Sequence, residues 1–145
     1  MRYYRRMGLR GGIDLGGTKI QAVVVGARNG VRGQARIPTP KAGGPDGVIA
    51  AMAEAVRTAA AEAEVETAAL DGVGIGSPGE VDPDAGTVTN AYNVVPDWNR
   101  TIGVADILAE QLSTKIDLRN DVRVTTATEF QLDAGKPYRS LLDVF

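Results

Sequence analysis

The chain has 145 residues, a formal net charge of −2 and 43% hydrophobic residues, enough to bury the core of one domain. It contains no cysteine and no histidine, which removes disulfides, thiol nucleophiles, Ser-His and Cys-His catalysis and the commonest zinc ligands, and leaves carboxylates as the general bases. The near-neutral balance gives no electrostatic case for a nucleic-acid partner, and no apolar run approaches a membrane span.

Residues 1–10, MRYYRRMGLR, are basic and lack the apolar stretch of a secretory signal. They are expected to form a flexible arm, with the cytoplasm as the default location, and residues 11–145 to form one lobe. Residues 12–15 and 20–25 read as strands, and GARNG (26–30) as the turn into a third strand, 31–37. Short connections make these an antiparallel meander. PTPKAGGPDG breaks the pattern, and Asp46 is a candidate cap for a helix over 46–63, whose apolar stripe is Val48, Ile49, Met52, Val56, Ala59, Ala60 and Ala63. A strand over 70–76 returns to the sheet, and SPGEVDPDAGTVTN holds at most a small hairpin. A second helix is expected over 104–112, a short strand over 116–118, and a third helix over about 122–134, closed by Gly135. The order β-β-β-α-β-α-β-α predicts a mixed sheet with helices on its faces. The last residues, YRSLLDVF, read as the opening of a further strand, so the expectation is a protein cut short.

Four stretches carry candidate chemistry. In DLGGTK, the glycines at positions 16 and 17 let backbone amides approach an anion, Thr18 adds a hydroxyl, and Lys19 adds a positive charge. Asp14, at the strand end, is placed to hold a magnesium ion, directly or through water, beside phosphate oxygens. The competing reading is a plain Gly-Gly hairpin with Asp14 capping its amides. The order G-x-x-x-x-G-K-[ST] of a P-loop is missing. In GVGIGSPGEVD, Gly74, Gly76 and Gly79 spell G-x-G-x-x-G after a strand, but Pro78 and the following DPDAG cannot open the helix a dinucleotide site requires. What remains is a bare glycine loop suited to a small polar ligand, with Glu80, Asp82 and Asp84 read as turn residues.

In DLRNDVRV, Asn120 and Asp121 stand between a strand and a helix. Both are favoured caps, and a carboxylate there could also accept the proton of an attacking hydroxyl. In NAYNVVPDWN, Trp98 reads as a plug at the edge of the core, and Asn93 offers an amide to ligand hydroxyls.

In this order and spacing, GIDLGGTKI, GIGSPGEVD, NAYNVVPDW and RNDVRVTTATE resemble the N-terminal lobe of the ROK family (repressors, open reading frames and sugar kinases), glucokinase-like, within the actin/hexokinase-like, ribonuclease H-like ATPase fold. The resemblance spans nearly the whole chain. It implies ATP and Mg2+ as cofactors, with Asp14, Gly16, Gly17, Thr18 and Lys19 facing the phosphates and the metal. It implies Asp121 as the base that takes a proton from a hexose hydroxyl, and Gly79, Asn93, Asn120 and Asp121 as the sugar contacts. Arg123 departs from the commoner residues at its position, on the expected helix surface. The family's second lobe, with its second glycine loop, adenosine pocket and Cys/His zinc site, has no counterpart in this sequence, so the chain alone is expected to be inactive.

Two other readings stand beside the hexose kinase. A sugar-responsive transcriptional regulator of the same family carries a helix-turn-helix domain before the phosphate motif, and only 13 residues precede Asp14. A non-catalytic sugar-binding fragment is the third, and an open sheet edge or half-core would then favour homo-oligomers.

Overall fold

The computed structural model describes residues 8–120; the expected third helix, Asp121 and the final strand lie outside them. The first three strands, β1 (Arg10–Leu15), β2 (Lys19–Val25) and β3 (Val31–Pro38), form the anticipated antiparallel meander. The chain then forms helix α1 (Gly44–Glu62), strand β4 (Val73–Ser77), helix α2 (Val104–Leu112) and strand β8 (Ile116–Asn120), with three short strands between β4 and α2. The main sheet has the order β3-β2-β1-β4-β8. β4 runs parallel to both β1 and β8, as sheets with helical crossovers require.

The alternation of side chains along a strand decides the inner face. Ile13 and Leu15 of β1, Ile20, Ala22 and Val24 of β2, Val73 and Ile75 of β4 and Leu118 of β8 join one core cluster. Against them α1 lays Val48, Ile49, Met52, Val56, Ala59 and Ala60, and α2 adds Val104, Leu108 and Leu112. Trp98 is fully buried in the same cluster, and its indole N–H donates to Val88 O at 3.2 Å. The expected plug is confirmed, with its one polar atom satisfied.

Several details differ from the sequence expectation, and one is that β8 runs on to Asn120 rather than ending near residue 118, so that Asn120 closes the strand. Helix α1 begins at Gly44, with Gly43 as N-cap at φ 90 and Pro in the first turn, so Asp46 is not the cap. It sits inside the first turn, where a carboxylate favours the positive end of the helix dipole. The strand expected from residue 70 starts at Val73, because Thr67–Ala69 form a 3-10 turn first. The segment 77–90 holds the small hairpin allowed for it, β5 (Glu80–Asp82) and β6 (Thr87–Thr89), and an unexpected strand from beyond it, β7 (Thr101–Ile102), pairs with β6 to make a separate three-stranded antiparallel sheet. Its β5–β6 turn is the acidic one: Asp82 Oδ1 accepts from the backbone N–H of Asp84 at 3.1 Å and of Ala85 at 3.2 Å.

At the β3 edge, the Gln34 N–H donates to Glu62 Oε1 of α1 at 2.7 Å, which occupies one amide a neighbouring strand would need. Among the described residues no helix is long and apolar enough to cross a membrane.

Candidate functional site

Parallel strands β1, β4 and β8 point their carboxyl ends the same way, and the candidate residues gather there. In register, Asp14 lies level with Gly76, and Gly76 with Arg119. One step further, Ser77 lies level with Asn120. Strand β4 stands between β1 and β8, so Asp14 and the end of β8 are about 10 Å apart at the usual ~4.8 Å per strand interval. They are not on adjacent strands. Asp14 is half-buried and Asn120 likewise. Arg119 is paired with Asp117, Nε to Oδ2 at 2.7 Å.

The turn between β1 and β2 carries Gly16, Gly17, Thr18 and Lys19. Gly16 N–H donates to Lys19 O at 3.1 Å and closes it as a tight hairpin. Thr18 and Lys19 are exposed. Gly17 is required by space: a Cβ there would sit 2.5 Å from the carbonyl oxygen of Asn93. The turn thus rests directly on the loop that carries Asn93, which joins two motifs that are far apart in sequence.

The second motif is organised around Gly79. Its φ is +90, in the region that favours glycine, and its carbonyl accepts from Asn120 Nδ2 at 3.1 Å. Pro78, Gly79, Asn90, Ala91, Tyr92 and Asn93 line a groove of about 120 Å³. At its rim Tyr92 O–H donates to Asn90 Oδ1 at 3.1 Å, and Asn90 Nδ2 donates to Glu80 Oε2 at 3.2 Å. Asn93 is exposed and lines this groove. A larger cavity of about 310 Å³, lined by Arg57, Ala60, Val65, Glu66 and Thr67, lies beside the carboxyl end of α1 and contains none of the candidate residues.

The structure therefore brings together the 14–19 turn, Gly79, Asn93 and Asn120, while Asp121 is outside the described residues. It also assigns a place to two residues that carry no motif in the sequence. Thr39 Oγ1 donates to Gly16 O at 2.8 Å, Thr39 N–H donates to Thr18 O at 2.9 Å, and Lys41 Nζ donates to Gly17 O and, at 3.0 Å, to Val94 O. A signal for them existed in the meander itself. Once β2 and β3 pair with Lys19 opposite Pro38, the residues after Pro38 must run back alongside residues 18, 17 and 16.

For a magnesium nucleotide the donor set is of the right kind. The described residues contain no group of three or more metal-ligating side chains, and Mg2+ typically takes one or two protein carboxylates and completes its shell with phosphate oxygens and water. Asp14 beside a glycine turn offers that single carboxylate.

A mixed sheet opened by a meander, continued by parallel crossovers and bearing polar loops at the parallel strands' carboxyl ends defines a lobe of the actin/hexokinase-like ATPase fold. The chain belongs to the ROK family, whose model matches residues 10–145. A glucokinase of Streptomyces coelicolor is 31% identical over 140 residues, covering 94% of this chain and 40% of that protein. A ROK family glucokinase from Streptomyces griseus, solved in complex with glucose and AMPPNP, superposes with a TM-score of 0.69 at 31% identity over 89% of this chain and 38% of that one. An inorganic polyphosphate/ATP-glucomannokinase from Arthrobacter superposes with a TM-score of 0.59 at 30% identity, over 79% of this chain and 44% of that one. The chain spans about two fifths of the length of these relatives.

Proposed function

We propose that this chain is the N-terminal lobe of a cytoplasmic, ATP-dependent hexose kinase that phosphorylates a glucose-like sugar. The observation that carries the reading is the meeting of the four motifs in two pairs at one end of the sheet: the Gly17 turn rests on the Asn93 loop, and Asn120 reaches the Gly79 carbonyl. MgATP, when bound, supplies the phosphoryl group. In this lobe Asp14 holds the metal, directly or through water, and the Gly17 amide, with Thr18 and Lys19, faces the phosphates, while the Gly16 N–H closes the turn that presents them. Gly79, Asn93 and Asn120 hold the sugar. Asp121, which directly follows Asn120, would accept the proton of the attacking hydroxyl; that hydroxyl's oxygen would bond to the γ-phosphorus as the bond from the γ-phosphorus to the bridging oxygen breaks, with ADP as the leaving group. Phosphoryl transfer depends mostly on alignment and charge stabilisation, so a carboxylate, an amide turn and an asparagine are an adequate set without histidine or cysteine.

In this proposal turnover requires the second lobe, and the chain alone binds ligands without catalysing transfer. The hexose is its small-molecule partner, nucleic acid and membrane are not, and copies of the chain associate through the exposed lobe surface or a sheet edge. The test is Asp121→Asn in a two-lobed protein carrying this segment. Loss of a general base lowers kcat by roughly 10²–10⁴-fold, with thermal stability kept. Turnover within a few fold of the parent removes Asp121 from the role. Running the same assay with polyphosphate in place of ATP identifies the donor.

A further inference from the structure

We propose that Lys41 is a positioning residue that locks the β1–β2 turn to the 91–95 loop, so that the two move as one unit and occupancy of either favours occupancy of the other. The second half of this statement rests on reading the turn as the nucleotide side and the loop as the sugar side.

Every carbonyl of the turn from Gly16 to Thr18 accepts a hydrogen bond from residues 39–41. Thr39 Oγ1 donates to Gly16 O, Thr39 N–H to Thr18 O, and Lys41 Nζ to Gly17 O. Carbonyls held in this way cannot turn toward an approaching anion, which would repel them. Thr39 serves the turn alone. Lys41 differs, because the same ammonium also donates to Val94 O at 3.0 Å. Its two acceptors bracket the place where Gly17 and the Asn93 carbonyl are already in contact, with no room for a Cβ between them. Val94 is itself buried, and its N–H and that of Val95 both donate to Ala91 O, so a pull on the Val94 carbonyl passes into a turn that is fixed to the core. Lysine suits this position because it has three donors, and each of its bonds to a carbonyl is charge-assisted.

The test reads the lock without any ligand. Amide hydrogen exchange is measured by NMR on the full chain for wild type, Lys41→Met and Lys41→Arg. The reporters are Gly16 N–H (bonded to Lys19 O), Val94 N–H (bonded to Ala91 O) and, as a reference within the core sheet, Val73 N–H (bonded to Lys115 O). Rates at Gly16 and Val94, taken relative to Val73 so that any global loss of stability cancels, should rise together by about tenfold or more in Lys41→Met, because the turn and the loop each lose one of the two charge-assisted hydrogen bonds that Lys41 makes. Lys41→Arg should restore most of the protection. A response at only one reporter, or at neither, overturns the lock.

The second arm titrates Mg-AMPPNP with and without glucose. In wild type each ligand should tighten the other, and in Lys41→Met the factor should fall to one while each still binds alone. A factor unchanged by Lys41→Met overturns the coupling. If neither ligand binds the wild-type chain, the substrate reading fails, and the exchange result still decides the lock.

Discussion

Replacing Gly17 with alanine separates two reasons for a glycine in the DLGGTK turn. Gly17 is not among the glycines with positive φ, so alanine meets no left-handed backbone penalty there. The whole cost comes from contact: the new methyl would lie 2.5 Å from Asn93 O and 3.5 Å from Asn93 C. Relief needs the turn and the loop to part by nearly 1 Å, against the hydrogen bonds that Lys41 makes to both. Forcing a methyl into so tight a contact costs about 1–3 kcal/mol. In a chain of this size each kcal/mol lowers the unfolding midpoint by about 3 °C. Gly16→Ala is the control, because its methyl would meet only Lys19 O at 3.1 Å and a small adjustment suffices. Calorimetry should therefore show Gly17→Ala melting several degrees below Gly16→Ala. Amide shifts should move at both residues 16–18 and residues 92–95. Equal melting points, or shifts confined to the turn, would refute the idea that Gly17 exists to let the two motifs touch.

Gly79→Ala should also destabilise, for a different reason: its φ of +90 disfavours a side chain, and the methyl would sit 3.0–3.1 Å from Thr89 O and Ala91. A loss of about 1–3 kcal/mol in urea denaturation is expected, and an unchanged midpoint would contradict it. Trp98→Phe leaves Val88 O without its indole donor and opens space in the core, costing about 1–3 kcal/mol at unchanged denaturant slope. A tryptophan emission maximum typical of an exposed indole in wild type would contradict the burial on which this rests.

The elements legible in the sequence were those decided by local pattern. Val104–Leu112 matched its expected bounds because the apolar spacing and the flanking Gly103 and Ser113 are all local. The β1–β2–β3 meander was legible because alternation and short turns leave few other pairings. Asp46 misled because cap preference is only statistical, whereas Gly43, Gly44 and Pro45 fix the backbone ahead of it. In the small sheet the β5–β6 hairpin was legible from its turn residues, whereas β7 was hidden because it has only two residues, too short for periodicity, and meets β6 only after a loop has folded.

Within the candidate site, Asp14, Gly16, Gly17, Gly79, Asn93 and Asn120 stood out in the sequence by residue type, in the turns and loops or at the strand ends where they lie. Thr39 and Lys41 did not. Their acceptors are backbone carbonyls, which carry no sequence signature, and their segment reads as a simple break. Only the β2–β3 register would have placed them against the turn.

The most direct test of the central claim, that one end of the sheet receives both ligands, is amide chemical-shift mapping of the chain titrated with Mg-AMPPNP and glucose. Shifts from the nucleotide should centre on residues 14–19, and those from glucose on Gly79, Asn93 and Asn120, with Arg57 and Thr67 at the far cavity still. Shifts centred on that far cavity, or the absence of any at the turn and the groove, would contradict it.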